Sequence, residues 1–198
     1  NTVVVTGSHD LILDVAADLI PQQYKGMHLS STHVGSMGGL MALKRGEAHV
    51  APIHLLDENT GVYNDSYVKR VFSGRTAIVT GVRRIQGIMV KKGNPLNIQT
   101  IEDLQKCRFV NRQRGAGTRI LFDYLLKKEN ISVDSIEGYD REASTHMAVA
   151  ALVASDSADA GMGIFSAAQS MGLDFIPVGD EWYEVAIPEE FMELPHVQ

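Results

Sequence analysis

The sequence predicts an α/β fold, a largely parallel sheet with helices on its faces. Three observations carry this. Short β-branched runs alternate with stretches of helical apolar spacing along the whole chain. The second half repeats the strand–turn–helix grammar of the first. Glycine with a nearby hydroxyl residue recurs where strands give way to helices, at Gly7-Ser8, Gly35-Ser36 and Gly117-Thr118. At 198 residues the chain suffices for one domain or two small lobes with a real core.

The elements follow in order. Thr2 to Thr6 is a strand. Ser8 is placed to cap a helix over His9 to Ile20, with Leu11, Ile12, Val15, Ala16, Leu19 and Ile20 on one face and Pro21 as its stop. A strand from His28 to His33 leads into Gly35 and a helix over Ser36 to Arg45, closed by Gly46. Ala48 to His54 is a strand, Asp57 to Asn64 is turn-rich, and Val68 to Phe72 and Ala77 to Val82 read as extended. Gln86 to Lys91 is the next strand. Thr100-Ile-Glu-Asp103 forms a capping box for a helix through Lys106. Arg108 to Val110 is a short strand, Thr118 to Glu129 a helix, Ile136 to Tyr139 extended, and Ala143 to Ala154 a small-residue helix. A last helix lies near Phe165 to Met171. Phe175 to Val178 and Glu184 to Pro188 are closing strands.

Composition excludes several classes. The net charge is −6, with 44% hydrophobic and 21% charged residues, an ordinary globular balance without a basic excess for nucleic acid. Cys107 is the single cysteine, which rules out an internal disulfide framework and multi-cysteine zinc, and its place reads as an inert small hydrophobe. No apolar run approaches the roughly 20 residues that span a bilayer. A start at Asn1 directly in a strand reads as a piece of a longer or processed polypeptide.

The motifs point to an anion. Each Gly–hydroxyl turn puts free backbone N–H groups at the positive end of a helix dipole. One such turn means little; three at strand ends could converge on one crevice. "NRQRGAGTR", residues 111–119, adds three arginines, whose guanidinium forks suit oxyanions and carboxylates; the alternative is a solvated loop. Arg112 and Arg114 share a parity if the strand continues, which favours them over Arg119. Other motifs fail on detail. Ile120 stands where a dinucleotide fingerprint needs a small residue, there is no Walker lysine, and Val34-Gly-Ser36-Met37-Gly38 lacks the first glycine of a nucleophile elbow. The histidines have no metal-ligand spacing; His49 and His54 with Asp57 read as strand-end polar residues. No acid–base couple or nucleophile–base pair is legible, so no catalytic residue, metal or cofactor is expected.

"QGIMVKKGNPLNIQTIEDL", "RFVNRQRGAGTR" and "THMAVAALVASDSADAGMGI", with "LKRGEAHVAPIHLLDENTGVYN" in the first half, resemble the periplasmic-binding-protein-like domain of the type II solute-receptor superfamily. More narrowly, they resemble the branch fused to helix-turn-helix regulators or to molybdopterin-biosynthesis proteins. The resemblance implies two α/β lobes, each a mostly parallel sheet flanked by helices, with residues 1–85 plus 176–198 as one lobe and 86–175 as the other. Gln86 to Lys91 and Phe175 to Tyr183 would cross between them, and a ligand would be clasped in the cleft. Relatives bind molybdate or tungstate through helix N-termini and hydroxyls. By the same resemblance Ser144, Thr145 and His146 form a further helix start at the cleft, and His54 and Asp57 line it. Asp57 repels an oxyanion unless it pairs with an arginine or the ligand carries a cationic part. The departures are Asp156 in place of a turn glycine, a chain end at Gln198 before an expected further helix, and no helix-turn-helix.

The expectation is therefore a non-catalytic, cytoplasmic ligand sensor that closes on a small anion, molybdate or tungstate leading. The candidate ligand residues are Ser8, His9, Ser36, Met37, His54, Arg112, Arg114, Gly117, Thr118, Ser144, Thr145 and His146. The alternatives are an organic carboxylate or pterin-like ligand, an enzyme or accessory domain of molybdenum-cofactor assembly, and a degenerate interaction module. Partners would be the small ligand and a fused regulatory or enzymatic domain, with no direct nucleic-acid or membrane contact; a homodimer stays open.

Overall fold

The computed structural model describes residues 1–198. The chain forms two compact units, Asn1–Val82 with Trp182–Gln198, and Arg83–Glu181. Residues 176–181 group with the second unit rather than the first, because Arg84 and Gln86 hold Glu181 there.

In the first unit β1 (Thr2–Gly7) and β2 (His28–His33) run parallel, Thr2 opposite His28 through Gly7 opposite His33. Between them comes α1 (Leu11–Gln23). Its cap is Asp10, whose carboxylate accepts from Ile12 N at 2.9 Å, and not Ser8. Pro21 lies inside the helix rather than stopping it; so near the C-terminus a lost backbone bond costs little, and Tyr24 N still bonds Ile20 O. The apolar face read from the sequence is left open, with Ile12, Val15 and Leu19 each about half exposed. The next helix, α2 (Gly35–Lys44), buries Leu40, Ala42 and Leu43, and Gly39 lets it approach the end of β1 closely. Strand β3 (Ala51–Ile53) follows. The segment expected to be extended after it is helix α3 (Asp65–Val71), despite Val68 and Val71; a Lys69–Asp65 pair one turn apart supports it.

Two 15-residue strands, β4 (Thr76–Val90) and β8 (Asp174–Pro188), each contain residues of both units and are neighbours in the sheet. Pairs of shorter strands were expected at both places. The C-terminal part of β8 pairs antiparallel with β3, Ala186 opposite Ala51.

The second unit holds β5 (Phe109–Arg112), α4 (Gly117–Lys128), β6 (Glu142–Ala143), α5 (His146–Ala154), β7 (Ala160–Ile164) and α6 (Phe165–Ser170); a short α7 (Glu189–Met192) belongs to the first. Strand β5 is parallel to β6 and β7, while β7 is antiparallel to β4. Met89, Val110, Val149, Ala150, Val153 and Ile164 form its core, and Phe109 stacks on Phe122 at 4.7 Å. The capping box yields a 3₁₀ turn, Glu102–Lys106, with Asp103 accepting from Thr100 N and Gln99 N. The expected strand at Ile136 to Tyr139 is a turn through Gly138. Cys107 is buried and its thiol is pushed up to about 12, first by burial.

One partly buried imidazole makes the first unit acid-sensitive. Val4 N donates to His49 Nδ1 at 3.0 Å, and the ring lies against Phe191 and His196. Burial, then the charge of His196, pushes His49 below its usual value near 6.5. The folded state thus binds fewer protons than the unfolded one. Its contribution is complete above about pH 6.5 and is lost as pH falls through the lowered folded value. We expect the melting temperature to drop in that window and His49→Gln to flatten the drop, read by thermal denaturation across pH.

Candidate functional site

The sequence singled out helix starts as donors, and the structure sorts them by whether they are capped. At α1 the carboxylate of Asp10 accepts from Ile12 N, and at α5 the hydroxyl of Thr145 accepts from Ala148 N at 3.0 Å. The starts of α2 and α4 have no side-chain cap. Each carries a buried hydroxyl at its second residue, Ser36 at 0% and Thr118 at 1% exposure. An uncapped start offers several backbone N–H groups and a local positive potential.

Around Ser36 the first unit assembles a closed polar group. Strand β1 delivers Ser8, and the end of β3 delivers His54. His54 N donates to Ser36 Oγ at 3.1 Å, His54 Nε2 lies 2.8 Å from Ser8 Oγ, and the Tyr183 hydroxyl donates to Ser8 O at 2.8 Å. Nothing in the local sequence signals this hydroxyl–imidazole pair, since 46 positions separate the two residues. His9 bonds Asp14 through Nε2 at 2.9 Å and lies 4.3 Å, centroid to centroid, from His33. Burial, then His9, holds His33 below its usual value. Met37 is half-buried on the first turn of α2. Asp57 does meet an arginine, Arg70 at 3.3 Å, and also caps its own turn through Asn59 N.

Around Thr118 the second unit builds a chain that the sequence reading missed. Gln86 is fully buried on β4, and its amide donates to Thr118 Oγ1 at 2.9 Å and to Glu181 Oε2. The carboxylate can only accept and so fixes the orientation of the amide, while Thr118 Oγ1 also lies 3.2 Å from Gln86 Oε1, to which it donates. Glu181 also accepts from Arg84 Nε at 2.7 Å. A glutamine inside the otherwise apolar run Ile85 to Val90 was the available signal.

The arginines separate. Strand β5 ends at Arg112, so the parity argument does not extend to Arg114. Arg114 stands on the turn with its side chain 82% exposed and Glu142 at 4.0 Å. Arg112 is 1% exposed. It donates to Ala143 O at 3.3 Å, Ser144 O at 3.1 Å, Gln113 Oε1 at 3.4 Å and His146 Nδ1 at 3.0 Å, all neutral acceptors. Burial, then the positive charge of Arg84, pushes it down to about 10. A guanidinium cannot accept, so neutral His146 carries its proton on Nε2. Arg119 is buried against Asp123, Glu142 and the Tyr139 ring. Gly117 is the buried first residue of α4, and Ser144 is exposed, serving Arg112 through its carbonyl.

A family model described as a PBP superfamily domain (PBP_like) matches residues 17–198. The uncharacterized protein YvgK of Bacillus subtilis (strain 168) is 34% identical over 194 residues, 96% of this chain; the chain spans 63% of that relative's length. An uncharacterized protein of Clostridium pasteurianum is 41% identical over 81 residues, 38% of this chain and 68% of that one. Among solved structures, a substrate-binding protein from Clostridium perfringens with bound phosphate superposes at a TM-score of 0.74 and 13% identity, over 100% of this chain and 90% of that one. The regulatory domain of CcmR from Synechocystis PCC6803, in complex with 2-PG, gives 0.68 at 13%, over 95% and 86%. The effector-binding domain of QuiR with shikimate gives 0.70 at 12%, over 100% and 91%. These likenesses show a shared type II periplasmic-binding-protein fold. No helix is long and apolar enough to cross a membrane.

Proposed function

The chain belongs to the PBP superfamily of domains, and from that premise we propose that it binds one small anion and serves as a sensor without turnover. The observation that carries this is the pair of uncapped helix starts, α2 and α4, each with a buried hydroxyl. Buried donors hold a desolvated anion more strongly than solvated ones, and each such hydrogen bond contributes about 1.5–3 kcal/mol. Structural neighbours in complex with phosphate, 2-PG and shikimate support an anionic or acidic ligand. Molybdate or tungstate leads within the class, and an organic carboxylate is its rival. A cytoplasmic parent with a fused regulatory or biosynthetic domain accords with the effector-domain neighbours.

The test is a thermal-shift panel of molybdate, tungstate, sulfate, phosphate and small organic acids. Ligand at 100 times its dissociation constant stabilises by roughly 2.7 kcal/mol. Ser36→Ala and Thr118→Val should each weaken the best ligand by about ten- to a hundredfold in calorimetry. A panel in which only neutral or cationic compounds stabilise the protein would sink the anion reading.

A further inference from the structure

We infer that His54 is the positioning residue of the first unit's two hydroxyls, and that its protonation state decides whether Ser8 can donate to an anion. The inference rests on the anion reading above. His54 touches both hydroxyls, Ser36 through its backbone N–H at 3.1 Å and Ser8 through ring Nε2 at 2.8 Å. Ser8, Ser36 and His54 are all buried, so bulk water does not mediate the exchange.

A hydroxyl has one proton to give. Ser36 Oγ accepts from His54 N, which leaves its own proton for another acceptor. Ser8 has two arrangements. If Nε2 of a neutral ring is bare, Ser8 spends its proton on the ring. If Nε2 is protonated, the ring donates to Ser8 Oγ and the Ser8 proton turns to an acceptor elsewhere. The imidazolium carries N–H on both nitrogens, so it permits only the second arrangement, and its charge favours an anion as well. An arriving anion supplies the acceptor that this arrangement needs. A neutral ring with its proton on Nε2 also allows this arrangement, but only the imidazolium adds a positive charge beside the anion. The anion therefore binds the imidazolium more tightly, binding draws a proton onto His54, and affinity rises as pH falls.

Other ionisable groups on the surrounding elements are committed differently. On β8, Tyr183 has its ring 6.4 Å from that of His54 and donates to Ser8 O, while Glu184 accepts from Asn64. After β1, His9 is bonded to Asp14 and Asp10 caps α1. After β3, Asp57 is paired with Arg70 of α3. The first turn of α2 holds no acidic residue.

The test is calorimetry with sulfate and molybdate, whose charge is constant over the range used, from about pH 6 to 8.5. Wild type should bind about tenfold more tightly at the acid end, with net proton uptake seen as a dependence of the heat on buffer ionisation. His54→Gln should bind with a flat profile and no uptake. Ser36→Ala should weaken binding at every pH yet keep the slope. If His54→Gln fails to fold, the ring-nitrogen NMR shifts of His54 in wild type, with and without sulfate, read the same proton. Binding that is pH-flat in wild type, or a slope that survives His54→Gln, overturns this role and leaves the anion reading standing. No binding of either oxyanion at any pH overturns both.

Discussion

Arg112→Ala is expected to destabilise the ligand-free protein by about 3–5 kcal/mol, a fall of roughly 10 °C in melting temperature for a chain of this size. The guanidinium is nearly fully buried, and its loss removes the donor to Ser144 O and to Nδ1 of His146, while Ala143 O keeps only its bond from Gln113 N. Each buried acceptor left unpaired costs about 1–3 kcal/mol, and the vacated volume adds to that. Arg112→Lys should recover only part, because an ammonium cannot reproduce the fork that spans these acceptors. Arg114→Ala, on an exposed turn, should change stability by less than about 0.5 kcal/mol. Thermal denaturation of the three variants without ligand decides this. If Arg112→Ala keeps its melting temperature and loses only affinity, the guanidinium is a direct ligand contact, as the sequence alone suggested.

Gly138→Ala is expected to cost at least as much, about 3–5 kcal/mol, and to lower soluble yield. Gly138 has φ +90, and a Cβ there would stand 2.0 Å from Phe109 O. Strain from the backbone and the clash act together, and neither relaxes cheaply, because the colliding atom is main chain of β5. Phe109 N is itself bonded to Glu137 O, so moving the turn away breaks that bond. Gly46, also at positive φ, has nothing within 4 Å of its would-be Cβ, so Gly46→Ala carries only the conformational cost. Chemical denaturation of the pair separates the two contributions. Equal losses would show that the close approach to Phe109 contributes nothing.

Much of the architecture was legible because it depends on local periodicity. The alternation of β-branched runs with 3.6-spaced apolar residues located β1, β2, α2 and α4 to within a few residues, while β7 went unread. The misreadings share a cause, which is that longer-range partners outweighed local preference. Asp10 captured the cap expected of Ser8, since its carboxylate reaches Ile12 N. Val68 and Val71 suggested a strand, but α3 formed instead, with Val68 buried. Ile136 to Tyr139 has strand-like composition, yet Gly138 turns the chain there.

The sequence by itself determined the chemistry on offer: an acidic chain with one cysteine, no metal spacing, and hydroxyl-bearing helix starts. It could do so because composition and capping residues act over a few positions. Only the tertiary structure decided which of those groups are spent internally. Arg112 and Arg114 lie two positions apart, but one is sealed among carbonyls and the other stands in solvent. Ser8 and His54 lie 46 positions apart and share a hydrogen bond. Gln86 and Glu181, 95 apart, meet next to Thr118. Such pairings are set by which strands become neighbours. Strand neighbours are chosen by burial and backbone pairing across the whole chain, which no short stretch of sequence encodes.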